Sequence, residues 1–122
     1  MKILSPKVHG VLDYVVVVIF LASPGLLGLA GLPAIIAYAL GGIHLALTLG
    51  TDFPAGLVPW VPLRVHGAIE FVVSLTLPAL PWLLQFAADT LGRNFYVGAG
   101  AVIFVTWLIT DYRAPATGSD GD

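Results

Sequence analysis

The sequence predicts an all-α protein: a four-transmembrane-helix bundle built from two tandem helical hairpins, with a pseudo-twofold axis along the membrane normal. Three observations carry this. Of 122 residues, 58% are hydrophobic and 10% charged, and the mean hydropathy is +0.97. Soluble domains run nearer 45–50% apolar and about 25% charged, so most of this chain must face lipid. Four apolar stretches approach the ~20 residues that cross a hydrocarbon core, and only helices satisfy their own backbone at that length in lipid. Finally, the chain repeats itself.

The first span starts at Ser5-Pro6, a capping serine followed by proline at the first helical position. It runs through Val15–Leu21 to Pro24-Gly25, which should end or kink it. The second runs from about Pro33 to Leu49 and is closed by Gly50. The third starts at Pro62 and reaches about Ala79, where Pro78 and Pro81 crowd its end. The fourth covers about Asn94 to Asp111. Met1–Ala22 has the length of a signal peptide, but Asp13 within it and three spans behind it argue for a retained helix. Lys2, Lys7, Arg64 and Arg113 fall at one side of a four-span topology and Arg93 at the other. The positive-inside rule therefore places both termini in the cytoplasm. Residues 114–122, small, polar and acidic, read as a disordered cytoplasmic tail.

The repeat has an offset of 57 in its first helices: Lys7-Val8-His9-Gly10-Val11-Leu12-Asp13-Tyr14 aligns with Arg64-Val65-His66-Gly67-Ala68-Ile69-Glu70-Phe71. The second helices align at an offset of 59, Gly41 with Gly100 and Thr51-Asp52-Phe53 with Thr110-Asp111-Tyr112. Residues 1–57 and 58–113 are thus two hairpin repeats of like orientation. At Ser23-Pro24-Gly25-Leu26-Leu27 and Leu80-Pro81-Trp82-Leu83-Leu84 the chain resembles the SPW-repeat integral membrane proteins of bacteria and archaea. The motif is split here, Ser-Pro-Gly in one half and Leu-Pro-Trp in the other. The resemblance implies a hairpin-repeat architecture in a prokaryotic inner membrane, and no particular activity.

Polar residues inside these spans are the functional signal. His9 and Asp13 share one helix face, as do His66 and Glu70, and the carboxylates lie about 10 Å inside their helix starts. Intramembrane carboxylates are costly and normally face the bundle interior. Asp52 and Asp111 close helices 2 and 4, where a negative charge opposes the macrodipole. Pairs of Asp52 or Asp111 with His9 or His66 are therefore expected. Thr51 and Thr110 should donate to ring nitrogens or to backbone carbonyls. His44 lies at a similar depth and should hydrogen-bond Asp13 or Glu70; its counterpart in the other half is Ile103.

His9, Asp13, His44, Asp52, His66, Glu70 and Asp111 thus form a candidate cluster near the cytoplasmic end. Imidazoles and carboxylates of this kind suit a metal ion such as zinc or iron. His9 and His66 alternatively suit the axial positions of a b-type haem, with Gly10 and Gly67 admitting the macrocycle and His44 nearby. The same groups would also serve as a ligand-free latch between hairpins. A proton pathway would need a dimer, and no ionisable residue continues the cluster into the outer half except Asp89 and Arg93 near the surface. Tyr14, Phe53, Phe71 and Tyr112 are read as interfacial anchors, and Tyr38, Trp60, Trp82, Phe95 and Tyr96 as anchors or lipid contacts.

The absence of cysteine excludes disulfides, thiolate zinc sites and iron–sulfur clusters. A formal charge of −2 with only five Lys+Arg excludes a basic nucleic-acid surface. No Gly-x-Ser-x-Gly or phosphate loop is present. An enzyme, for example one acting on lipid headgroups, is therefore not indicated. The expectation is a non-catalytic scaffold or accessory subunit in the bilayer, as a homo-oligomer or within a larger complex, with a metal- or haem-binding module as the alternative.

Overall fold

The computed structural model describes residues 2–113, and the expectation for the tail at 114–122 lies outside them. The described chain is helical, with four helices long and apolar enough to cross a membrane: α1 (Pro6–Leu27), α2 (Gly31–Leu49), α3 (Leu63–Leu83) and α4 (Thr90–Ile109). The protein is an integral membrane protein.

Ser5 caps α1 by accepting from the Val8 N–H at 3.3 Å, and Pro6 occupies the first turn. Pro24 does not end the helix, which runs on to Leu27. Gly28 ends it instead, at φ +81° in the left-handed region, with its N–H on the Pro24 carbonyl. Proline lacks an N–H but keeps its carbonyl, so Pro24 still accepts the terminating bond. Only Gly28, Leu29 and Ala30 separate α1 from α2, which starts at Gly31 rather than Pro33. Helix α3 also outlasts its expected end at Ala79. Its α-helical part, Leu63–Thr76, passes through a 3₁₀ turn at Leu77–Ala79 into one last helical turn, Leu80–Leu83. The tighter turn absorbs the N–H groups lost at Pro78 and Pro81. The expected start of α4 at Asn94 moves back to Thr90, because the Asp89 carboxylate accepts from the Gly92 N–H at 3.1 Å and caps the helix there. Its end moves from Asp111 to Ile109.

Helix α1 packs on α2 and α3 on α4. Gly41 lies against Leu21 in the first hairpin, and Gly100 against Pro78 and the Ser74 carbonyl in the second. These are equivalent positions of the repeat. The hairpins join at both ends. At the end away from the termini an apolar core contains Phe20, Leu29, Ala37, Leu77, Phe86 and Tyr96. Tyr96, expected at the interface or in lipid, is fully buried, and its hydroxyl donates to the Pro33 carbonyl at 2.6 Å. At the terminal end the chain leaves α2 and α4 in extended form. Thr51 pairs with Val61, and Thr110 with Leu4. The bonds match across the repeat: Asp52 N–H to Val61 O (2.8 Å) and Val61 N–H to Gly50 O (2.8 Å); Asp111 N–H to Leu4 O (2.9 Å) and Leu4 N–H to Ile109 O (2.9 Å). The tail of the second hairpin is thus stitched to the leader of the first, and the first hairpin's tail to the leader of the second.

Candidate metal centre

The N-terminal halves of α1 and α3 bring His9, Asp13, His66 and Glu70 together under this stitching, all buried. The four groups alternate base and acid in a closed ring. His9 Nε2 lies 3.2 Å from Asp13 Oδ1 and 3.0 Å from Glu70 Oε2. His66 Nε2 lies 3.1 Å from Asp13 Oδ2 and 3.3 Å from Glu70 Oε1. Each carboxylate therefore faces its own hairpin's imidazole and the other's. One ligand atom from each of the four residues falls within 4.8 Å of the rest.

The outer nitrogen of each ring fixes its tautomer. Thr110 Oγ1 lies 2.8 Å from His9 Nδ1, and Thr51 Oγ1 lies 2.7 Å from His66 Nδ1. Both hydroxyls already donate to backbone carbonyls, Thr110 to Thr106 and Thr51 to Leu47, each at 2.6 Å. A hydroxyl has one proton, so each must accept from its ring, and Nδ1 is the N–H. In a neutral imidazole Nε2 then carries a bare lone pair, and both lone pairs face carboxylates. Among the described residues neither Nε2 makes an aligned hydrogen bond despite two oxygens within 3.3 Å, and Asp13 Oδ2 is equally without one. Acceptors crowded around acceptors need something positive between them.

Each hairpin supplies the threonine that orients the other hairpin's histidine. The aromatic walls are exchanged in the same way. Tyr112 lies edge-on to His9 at 5.4 Å, and Phe53 lies against His66 at 5.5 Å. Both were expected at the membrane interface and instead cover the ring. Tyr112 also donates to Glu70 Oε2 at 2.9 Å. Burial raises its phenol above the ordinary range and the Glu70 charge raises it further, so it remains a neutral donor. Tyr14 reaches the Ala55 carbonyl at 2.7 Å.

Among the described residues Asp52 and Asp111 form no hydrogen bond or ion pair with either imidazole, contrary to the expected pairs. The backbone is extended rather than helical at Thr51 and Thr110, so successive side chains alternate sides. Thr51 and Phe53 face the cluster, as do Thr110 and Tyr112, and the intervening aspartates turn away. Asp111 Oδ1 accepts from the Arg113 N–H at 3.0 Å. His44 does face Asp13, but at 3.5 Å and without a hydrogen bond. The glycine faces proposed for a haem are filled. A Cβ on Gly10 would meet Ala55 and Phe53, and one on Gly67 would meet the Tyr112 ring. The space between His9 and His66 is taken by the two carboxylates, which leaves a macrocycle no plane to occupy.

Comparison with protein-family models, with curated proteins and with solved structures finds no match, so the likeness to SPW-repeat proteins rests on the quoted motifs alone.

Proposed function

We propose that the protein is a membrane-embedded binding module for a divalent first-row metal ion, held by His9, Asp13, His66 and Glu70. The observation that carries this reading is the pair of imidazoles whose Nδ1–H groups are committed to Thr110 and Thr51 while their Nε2 atoms converge, without aligned hydrogen bonds, on two carboxylates. Metal-bound histidines are oriented in this way, the far nitrogen donating to a fixed acceptor. Bonds of ~2.0–2.1 Å place neighbouring ligands about 3.3 Å apart in a tetrahedron and about 2.9 Å apart at right angles. Each Nε2 has one oxygen of Asp13 and one of Glu70 at 3.0–3.3 Å, within that interval, the two rings facing different oxygens of each carboxylate. Two carboxylates balance one divalent cation, so the loaded site is neutral, as a low-dielectric bundle requires. Two nitrogens and two oxygens without sulfur favour zinc, iron(II) or manganese over copper(I).

The charge pattern supports a cytoplasmic position for this end, with Lys2, Lys7, Arg64 and Arg113 beside it and Arg93 opposite. The site then draws on the cytoplasmic metal pool of a prokaryotic cell.

The test is elemental analysis of detergent-purified protein after exposure to zinc, iron(II) and manganese. About one ion per chain is expected, lost in His9→Ala and His66→Ala. A folded wild-type protein that takes up none of them would overturn the proposal and leave the cluster as a latch between hairpins.

A further inference from the structure

His44 stands just outside the ring. It lies on α2, with its Nε2 at 3.5 Å from Asp13 Oδ1, the same oxygen that faces His9. That nitrogen is sealed from solvent and has no hydrogen-bond partner among the described residues. The ring of His44 is 6.3 Å from that of His66. A buried nitrogen left without a partner is costly, so its position calls for an occupant that the ring alone does not supply.

Two further observations bear on it. Each of the four ring residues has a mate in the other half of the chain, but the repeat places Ile103 opposite His44. The third imidazole thus makes an otherwise twofold site one-sided. Beside it is a small cavity of about 60 Å³, lined by apolar side chains including Phe20, Leu40 and Ile69, with His44 and Glu70 as its ionisable members. The cavity gives the imidazole room to turn while the four ring donors, packed under Thr51, Thr110 and Tyr112, are held in place.

Resting on the metal-binding reading, we infer that His44 is a fifth ligand: it swings from its place beside Asp13 onto a cation held by the ring and makes the loaded site five-coordinate. The donor set becomes three imidazole nitrogens and two carboxylate groups. A five-coordinate site suits a divalent ion with no strict demand for a tetrahedron, and it distinguishes the centre from closed four-ligand structural zinc sites.

Cobalt(II) is the probe, because its visible bands report coordination number: intense and at long wavelength for four ligands, weaker and at shorter wavelength for five. Wild-type protein in detergent is loaded with cobalt(II) and compared with His44→Ile, which copies the residue of the other half, and with His44→Ala in case the branched side chain does not fit. Five-coordinate spectra in the wild type, with bands several-fold stronger and shifted to longer wavelength in a folded variant, are the expected result. Identical spectra in the wild type and both variants would overturn the fifth-ligand assignment while leaving the four-residue site intact. Failure of the folded wild type to bind cobalt, zinc, iron or manganese would overturn the metal reading itself, and this inference with it.

Discussion

Thr51 and Thr110 set the chemistry of the site without entering it. Each hydroxyl, committed to a carbonyl one helical turn back, has only a lone pair to offer its histidine. Replacing Thr51 by valine removes that acceptor from His66 Nδ1 and should weaken metal binding by roughly 10–100-fold. Thr51→Ser should retain most of the affinity. Competition against a chromophoric chelator measures both. Asp52→Asn and Asp111→Asn should leave the affinity unchanged, since neither carboxylate faces the ring. The histidines, Asp13 and Glu70 were legible in the sequence because ionisable groups at that depth have few other places to go. The aspartates were misplaced because the segment was read as the last turn of a helix. In an extended segment the adjacent threonine points inward and the aspartate outward, and only the pairing of Thr51 with Val61 and of Thr110 with Leu4 reveals that.

At the level of the helices, close packing within each hairpin depends on a few glycines. A Cβ on Gly100 would run into the Pro78 ring and lie 2.9 Å from the Ser74 carbonyl oxygen, and neither a proline ring nor a backbone moves readily. Gly100→Ala should cost about 1–3 kcal/mol by overpacking. Gly98→Ala, with nothing within 4 Å, should cost nothing. Denaturation in mixed micelles compares the two. The four spans were readable from hydropathy, but their ends were not. Pro24-Gly25 was expected to end or kink α1; the helix does not end there, since near a helix end the missing N–H disrupts little and the Pro24 carbonyl still accepts from Gly28. Asp89 does not stand out in the sequence as a cap because it precedes Thr90 and Leu91, ahead of the obvious apolar run.

For the molecule as a whole, the ring is the junction of the two hairpins at the terminal end, so an ion bound there holds them together. A metal at a hundred times its dissociation constant should stabilise the fold by about 2.7 kcal/mol. Thermal denaturation should show the rise, and a chelator should reverse it. Because Nε2 must be bare and both carboxylates ionised to hold the ion, protons compete with the metal. Affinity, measured by chelator competition at each pH, should therefore be fully present at higher pH and fall as the solution is acidified. The pseudo-twofold arrangement was legible in the offsets of 57 and 59. The exchange of threonine and aromatic walls between hairpins was not, because a repeat shows which residues are equivalent and not which half they touch.

That exchange has a consequence for biosynthesis. The first hairpin leaves the ribosome and enters the bilayer before the second exists, carrying Asp13 with only His9 and His44 beside it and no threonine to orient the His9 ring. An aspartate in the membrane interior costs about 3 kcal/mol on insertion scales, and the last imidazole to face this one is His66. Thr110, which orients His9, is synthesised a full hairpin later, so the site closes only after the second hairpin has been translated. A nascent chain arrested between the hairpins would be an insertion intermediate with an exposed carboxylate, the kind of feature by which membrane quality control distinguishes unfinished proteins from finished ones.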